Sequence, residues 1–491
     1  MNNLDTLPID VLKLICSNLT HKSILLLNKI SIVFNEFIKT NLRSLLIENL
    51  SKITRLTLSS YTIKQLLYLY KIPRYNRIIA AHGFSFFIMK NNQVYGCGSN
   101  ESGKLLGPGS YGYGLVEPSP YDMINVPKLI PNLNDVVQIE TMFERSLMLM
   151  KDGTLHVFVF NMETLNSQIK PHLRNIIYIT TSINQSLALT NNGQVYVFGY
   201  NGNGQLGLGD KLGNSTIIVP YELQDDLTIS YATLYRTLTR EMFDNNYDEY
   251  QRVVKILIKR MYGSSDGELY EATIKTPILN PYLSDIVDIS TGMTHTLALT
   301  NNGQVYVFGS NEYGQLGLGD HDDRYIPVIL PHFTNIINIA VGNYSSLILT
   351  TDDHLYGFGS NYFGQLGLGG NKSKNVPTLI QHLHNIIDIS LRYEHVLVLD
   401  DKGQVYAFGK IGHDTNLYVP TLICKIDNII DISVGANHSL LLTADGFVYG
   451  FGCNNNDELG LGTDEYYHDI CDDDKCDPYA MRIIPNFNIF M

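Results

Sequence analysis

The sequence predicts an all-β fold, a seven-bladed β-propeller, with a small N-terminal α-helical domain. Three observations lead there. A phrase of the type SLALTNNGQVYVFGYNGNGQLGLGD (186–210) returns along most of the 491-residue chain. The glycines that close its central strand keep a period: Gly309, Gly359 and Gly409 stand 50 residues apart, and Gly452 follows 43 later. Residues before Ile78 lack the phrase and space their apolar side chains for helices. A fixed period of this size marks a solenoid, a propeller or a repeat array.

Clear copies occupy 186–210, 296–320, 346–370, 396–409 and 439–462, with an earlier copy at 86–107 and a weak one, SLMLMKDGTLHVFVF, at 146–160. They make seven units between about Ile78 and Phe487. Within a unit, the apolar run Leu297–Thr300 and the run Gln304–Phe308 flank Asn302-Gly303. Asn-Gly between β-rich runs signals a hairpin, because the tight turn needs positive φ. Other units use Asn192-Gly193, Lys402-Gly403, Asp445-Gly446 and Asp352-Asp353. A third run precedes the hairpin, as in Ile336-Ile337-Asn338-Ile339. A fourth follows the glycine loop, as in Ile326-Pro327-Val328-Ile329. Proline there suits an edge strand, where no ladder donor is required. Four short strands per unit match a propeller blade. The segment Arg482–Phe487 resembles such a fourth strand and is expected to pair into the first blade and close the ring.

The combination Ile-x-x-Ile, Gly-x-x-His-Ser/Thr-Leu-x-Leu, Gly-x-Val-Tyr-x-Phe-Gly and Asn-x-x-Gly-Gln-Leu-Gly resembles the regulator of chromosome condensation repeat. Phe stands where that family carries Trp, a residue absent from this chain. The resemblance spans about 78–487. It implies a propeller that holds protein partners, and some propellers of the family are guanine-nucleotide exchange factors for a small G protein of the Ran type.

The repeated glycines are read as architecture, since no helix N-terminus follows them to make a phosphate loop. His295, His395 and His438 hold equivalent places and are expected to hydrogen-bond between blade strands. The acidic stretch 469–477 matches neither a zinc site nor a calcium loop. No catalytic set, metal site or cofactor site is predicted. An insertion at about 224–275 has apolar residues at helical spacing and a local run of Arg and Lys. It suits a binding face or a packing elaboration equally.

Residues 1–45 resemble an F-box: Leu7-Pro8, an apolar helix ending near Leu19, then a Leu-rich turn. Residues 46–77 read as a helical linker. The resemblance implies docking on a Skp-type adaptor of a cullin ubiquitin ligase through Leu7, Pro8, Val11, Leu12, Ile15 and Leu19. A helical cap on the propeller is the competing reading. The propeller would then hold a protein target, with exchange on a Ran-like G protein or plain scaffolding as the other functions the resemblance allows.

Bulk properties narrow the partners. The net charge of −13, from 35 Lys and Arg against 48 Asp and Glu, disfavours nucleic acid, whose binding depends on basic residues neutralising phosphates. Six scattered cysteines without a Cys-x-x-Cys pair suit reduced thiols. The N-terminal segment has no secretory pattern, and its apolar runs are too short to span a bilayer, which takes about 20 residues. An intracellular protein, cytoplasmic or nuclear, without membrane contact is expected.

Overall fold

Each repeat folds into one antiparallel sheet whose four strands, A to D, follow chain order, and seven such sheets form the propeller. The computed structural model describes residues 77–99, 123–209, 273–462 and 481–490, apart from short gaps at 131–132, 143–144, 162–163, 170–172, 184, 412–414, 424–425 and 427. The F-box-like residues 1–45, the linker 46–76 and the acidic stretch 469–477 lie outside the described residues, as does most of the insertion. Thr273–Leu279 is the outer strand of blade 3, so the insertion as delimited takes in the first residues of a strand.

Blade 5 shows the pattern: strands Ile336–Val341, Ser345–Thr350, Leu355–Gly359 and Lys374–Ile380. Strand A lies innermost and is buried along its length, with Asn338 its one polar side chain, because both of its faces meet neighbouring blades. Strand D lies outermost and leaves Val376 and Leu379 exposed. Pro377 sits on that outer edge, where its missing N–H leaves no gap in a ladder. The B–C turns are tighter in chemistry than Asn-Gly alone suggests. Thr300 and Gln304 pair through Thr300 N–H to Gln304 O at 2.8 Å, Gly303 N–H closes on Thr300 O at 3.1 Å, and only Gly303 takes positive φ, at 80°. This is a turn with a glycine bulge and not a two-residue primed turn.

Blades are joined by the glycine loop between strands C and D. In blade 4 the loop folds on Asn311, whose Oδ1 accepts from Leu316 N at 2.9 Å, and Gly319 N–H donates to Asn375 O of blade 5 at 2.8 Å. Gly317, with φ +70°, lies against the buried Phe358 ring of blade 5: a Cβ there would stand 2.9 Å from two ring carbons. The same Gly–Phe step recurs from blade 3 to Phe308 and from blade 5 to Phe408. Phe thus fills the position the family gives to Trp, and the glycine beside it fits the ring.

Ring closure differs from the expectation. Arg482–Asn488 pairs with Phe447–Gly452 as the outer strand of blade 7, and blade 1 has its own outer strand, Met123–Leu129. Each sheet takes its D strand from the chain that follows its own C strand, so blade 1 has no vacant edge for the last strand to fill. The seam closes by packing of side faces. Phe487 lies against Phe87 at 5.0 Å and Tyr95 at 5.7 Å between ring centroids. Gly462 N–H donates to Asn125 O at 2.8 Å, the same loop contact as at other blade junctions. The propeller segment begins and ends at one hairpin of blade 1. Arg77 Nη1 donates to Ile88 O and Met89 O, and Lys90 N–H donates to Ile489 O at 3.1 Å.

Candidate interaction face

The inner strands surround a central channel of about 140 Å³. An inner strand has one unpaired edge, so its free backbone groups need partners. Polar side chains of the adjacent blade supply them. Gln138 takes both groups of Ile179, donating Nε2–H to its carbonyl at 2.8 Å and accepting its N–H at 3.0 Å. Ser433 Oγ accepts Ala80 N–H at 2.9 Å, and Asp431 Oδ2 accepts Arg77 N–H at 3.2 Å.

One mouth of the channel is crossed by Arg392 of blade 6. Its Nη1 donates to Ala80 O of blade 1 at 3.1 Å, and its Nη2 donates to Thr141 O of blade 2. Burial pushes the Glu140 carboxyl up to about 7, while the Arg392 charge and the Gln138 amide act in the opposite direction. Repeats 4, 5 and 7 carry Gly292, Gly342 and Gly435 at the position of Arg392. That departure from the repeat was the available sequence signal for a channel plug.

Around this mouth lie the loops that join A to B and C to D. They are ordered across blades: Met293 N–H donates to Asn343 O at 3.3 Å, and Asn343 N–H to Tyr393 O at 3.2 Å. The loops carry aromatic residues. Tyr313 of blade 4 stands 5.1 Å from Tyr344 and 6.1 Å from Tyr362, both of blade 5, between ring centroids. Tyr344 OH donates to Met293 Sδ at 3.2 Å, and Tyr393 OH donates to Met142 Sδ at 3.3 Å. Lys410 Nζ lies 5.5 Å from the Phe363 centroid. Burial raises the Glu394 carboxyl, with the Asn343 amide, which donates to it at 3.2 Å, and the Lys410 charge opposing the rise. The repeat phrase conceals this cluster, because Tyr313, Tyr362 and Phe363 occupy its variable positions.

The repeated histidines are placed as expected, between blades. His295 Nε2 meets Ser346 Oγ at 2.9 Å, and His395 Nε2 meets Ser439 Oγ at 3.5 Å. All three rings are buried, which pushes each pKa down to about 3. The predicted partner-binding residues Leu7, Pro8, Val11, Leu12, Ile15 and Leu19 fall outside the described residues. Among the described residues no group of three or more His, Cys, Asp or Glu could hold a metal ion, and no helix is long and apolar enough to cross a membrane.

Residues 192–226, 302–349 and 352–399 match the Regulator of chromosome condensation (RCC1) repeat, and 286–315, 336–365 and 429–458 match a second form of it. The matched segments are RCC1 repeats. Residues of the chain are 60% identical over 37 positions to the Protein RCC2 homolog of Xenopus laevis, covering 8% of this chain and 7% of that protein. The stretches matched in the curated relatives span 1% to 14% of those proteins' lengths. Among solved structures, human WBSCR16 is similar with a TM-score of 0.55 and 18% identity, covering 76% of this chain and 92% of that one. Prp20p from Saccharomyces cerevisiae is similar with a TM-score of 0.50 and 18% identity, covering 73% and 82%. These likenesses show a propeller fold.

Proposed function

We propose that this chain is a non-catalytic partner-holding protein, a substrate-recruiting adaptor of a cullin-type ubiquitin ligase. The observation that carries the partner-holding part is the aromatic A–B and C–D loop face, ordered across blades and closed over the channel by Arg392. Aromatic side chains, Met and Arg are enriched at protein interfaces, and the rigid aromatic rings bury large area at low entropic cost. The adaptor part rests on the F-box resemblance of residues 1–45, in which Leu12, Ile15 and Leu19 follow the spacing of helix-in-groove anchors.

Affinity purification of the full chain, with and without residues 1–45, tests it. A Skp-type adaptor should co-purify with the full chain and be lost on truncation. The double change Leu12→Asp and Ile15→Asp should abolish capture while the propeller melts unchanged. Capture that survives the double change would remove Leu12 and Ile15 as anchors, and no capture by the full chain would sink the adaptor role.

A second reading is exchange on a Ran-like G protein. It is favoured by the RCC1 repeats and by the likeness to Prp20p, whose structure is described with its binding to Gsp1p and histones. Release of labelled nucleotide from a purified Ran-type G protein, accelerated by catalytic amounts of this chain, would support it over the adaptor reading.

A further inference from the structure

Three tyrosines meet at the junction of blades 4 and 5 in an open corner. The Tyr313 ring is tilted 53° from Tyr344 and stands at 83° to Tyr362. Rings at such angles present faces as well as edges to the space between them, and an aromatic face carries the negative end of the ring quadrupole. Tyr362 is 59% exposed, so this corner is open to a partner.

Carboxylates flank the same corner. Burial raises the Tyr344 hydroxyl, and after it the neighbouring Tyr313, Glu312 and Glu394 push in the same direction. Glu312 precedes Tyr313 in the chain, and Glu394 accepts from Asn343, the neighbour of Tyr344, at 3.2 Å. Lys410 offsets Glu394 in part, as its effect on that carboxyl shows. Glu312 is exposed and remains the acid that sets the sign of the corner. The nearest Arg or Lys along that loop, Arg324, is held by Asp320 at 2.6 Å. Asp322 and Asp323 add negative charge beside it. The face already uses the chemistry internally, since Lys410 lies over the Phe363 ring.

We propose that the Tyr313, Tyr344 and Tyr362 corner, with Glu312 at its rim, receives a lysine or arginine side chain from a basic segment of a protein partner. Ring faces and a nearby carboxylate together stabilise a cation more than either does alone, and the gain grows as the partner excludes water. A neutral apolar segment would leave Glu312 desolvated without compensation, and an acidic one would be repelled. The inference rests on the propeller being a partner-holding protein and names the chemistry that one part of its face selects.

The test is a fluorescence anisotropy titration of the full chain with a labelled GSRKGSRKGS peptide, at fixed salt, against the same peptide with Glu in place of every Arg and Lys. The basic peptide should bind saturably and the acidic one should not. Tyr313→Ala and Tyr362→Ala should each weaken binding about threefold to thirtyfold. Tyr362→Phe should retain it, and Glu312→Gln should weaken it and flatten its salt dependence. The aromatic variants keep the net charge, so their loss of affinity cannot come from general attraction to an acidic protein. Thermal melting of each variant checks that the propeller is intact, and Tyr362 is exposed enough for its removal to leave the fold unchanged. Absence of saturable binding, or equal binding by wild type and the Tyr313→Ala, Tyr362→Ala double variant, would overturn the proposal. Peptide failure with a partner still captured from cells removes the cation site alone. Peptide binding with no Skp-type adaptor captured removes the adaptor role alone.

Discussion

Ser85 of blade 1 and His438 of blade 7 meet across the seam of the ring at 2.9 Å, and Ser85 donates its single proton onward to Glu458 O at 2.7 Å. A hydroxyl that gives its proton to a carbonyl can only accept from the ring, so His438 carries its proton on Nε2. His295, Ser346 and Gln315 O repeat the relay between blades 4 and 5, at 2.9 and 2.8 Å. The seam is thus built by the same contact as an internal junction.

Ser85→Ala should therefore cost about as much stability as Ser346→Ala, on the order of 1–3 kcal/mol each, since both leave a buried ring N–H without its partner. Chemical denaturation of the two variants checks this. A seam variant with no effect beside a costly internal one would show that the ring closes differently from its other junctions.

Acid should destabilise the propeller. His295, His395 and His438 are held near a pKa of about 3 by burial, against an ordinary 6.5. Below pH 6.5 the unfolded chain takes up protons that the folded one refuses, so stability falls as pH drops from there towards 3. Melting curves from pH 7 to pH 4 should show the fall, and His295→Asn should make it shallower.

Glu458 should act in the opposite direction. It takes the place that Gln205, Gln315 and Gln365 hold in other glycine loops, and burial raises it from 4.5 to about 7. A raised carboxyl favours folding while protonated, and that advantage is lost as pH rises from 4.5 through 7. Glu458→Gln should therefore raise stability at pH 8 by about 1–3 kcal/mol and change little at pH 5. An equal effect at both values would remove ionisation as the cause.

Gly317→Ala places a Cβ 2.9 Å from the Phe358 ring at φ +70° and should destabilise by roughly 2 kcal/mol. Gly370→Ala, which meets nothing within 4 Å, should be neutral. The pair, compared by thermal melting, separates the architectural glycines from the incidental ones.

Deleting 482–491 should unfold blade 7 and weaken blade 1 with it. The reason is the loss of an outer strand and of the Phe487 contact with Phe87 and Tyr95, and not the loss of a strand from blade 1. An unchanged melting temperature would contradict this.

The blades were legible in the sequence because each strand has its own local signature: Ile-x-x-Ile for A, Asn-Gly for the B–C turn, proline for D. The seam was not, because Arg482–Phe487 resembles every other D strand and periodicity alone cannot say whether it belongs to the blade before it or after it. The role of His438 was legible, since its equivalents recur. The aromatic corner was not, since Tyr313 and Tyr362 stand in variable positions of the phrase and meet only when blades 4 and 5 are set side by side. Arg392 lay between these cases. It breaks a glycine position visibly, but its reach to Ala80 and Thr141 depends on closure of the ring.

Arg77 and Ile489 are both tied to the Ile88–Lys90 hairpin, on the rim opposite the A–B and C–D loops. The polypeptide therefore enters and leaves the disc at one point on its reverse side. A label or tether attached at Arg77 or Ile489 would leave the aromatic side unshadowed. Joining Arg77 to Ile489 with a short linker and reopening the chain between blades 4 and 5, at Leu330–Asn335, would keep all seven sheets whole, because no sheet borrows a strand from another.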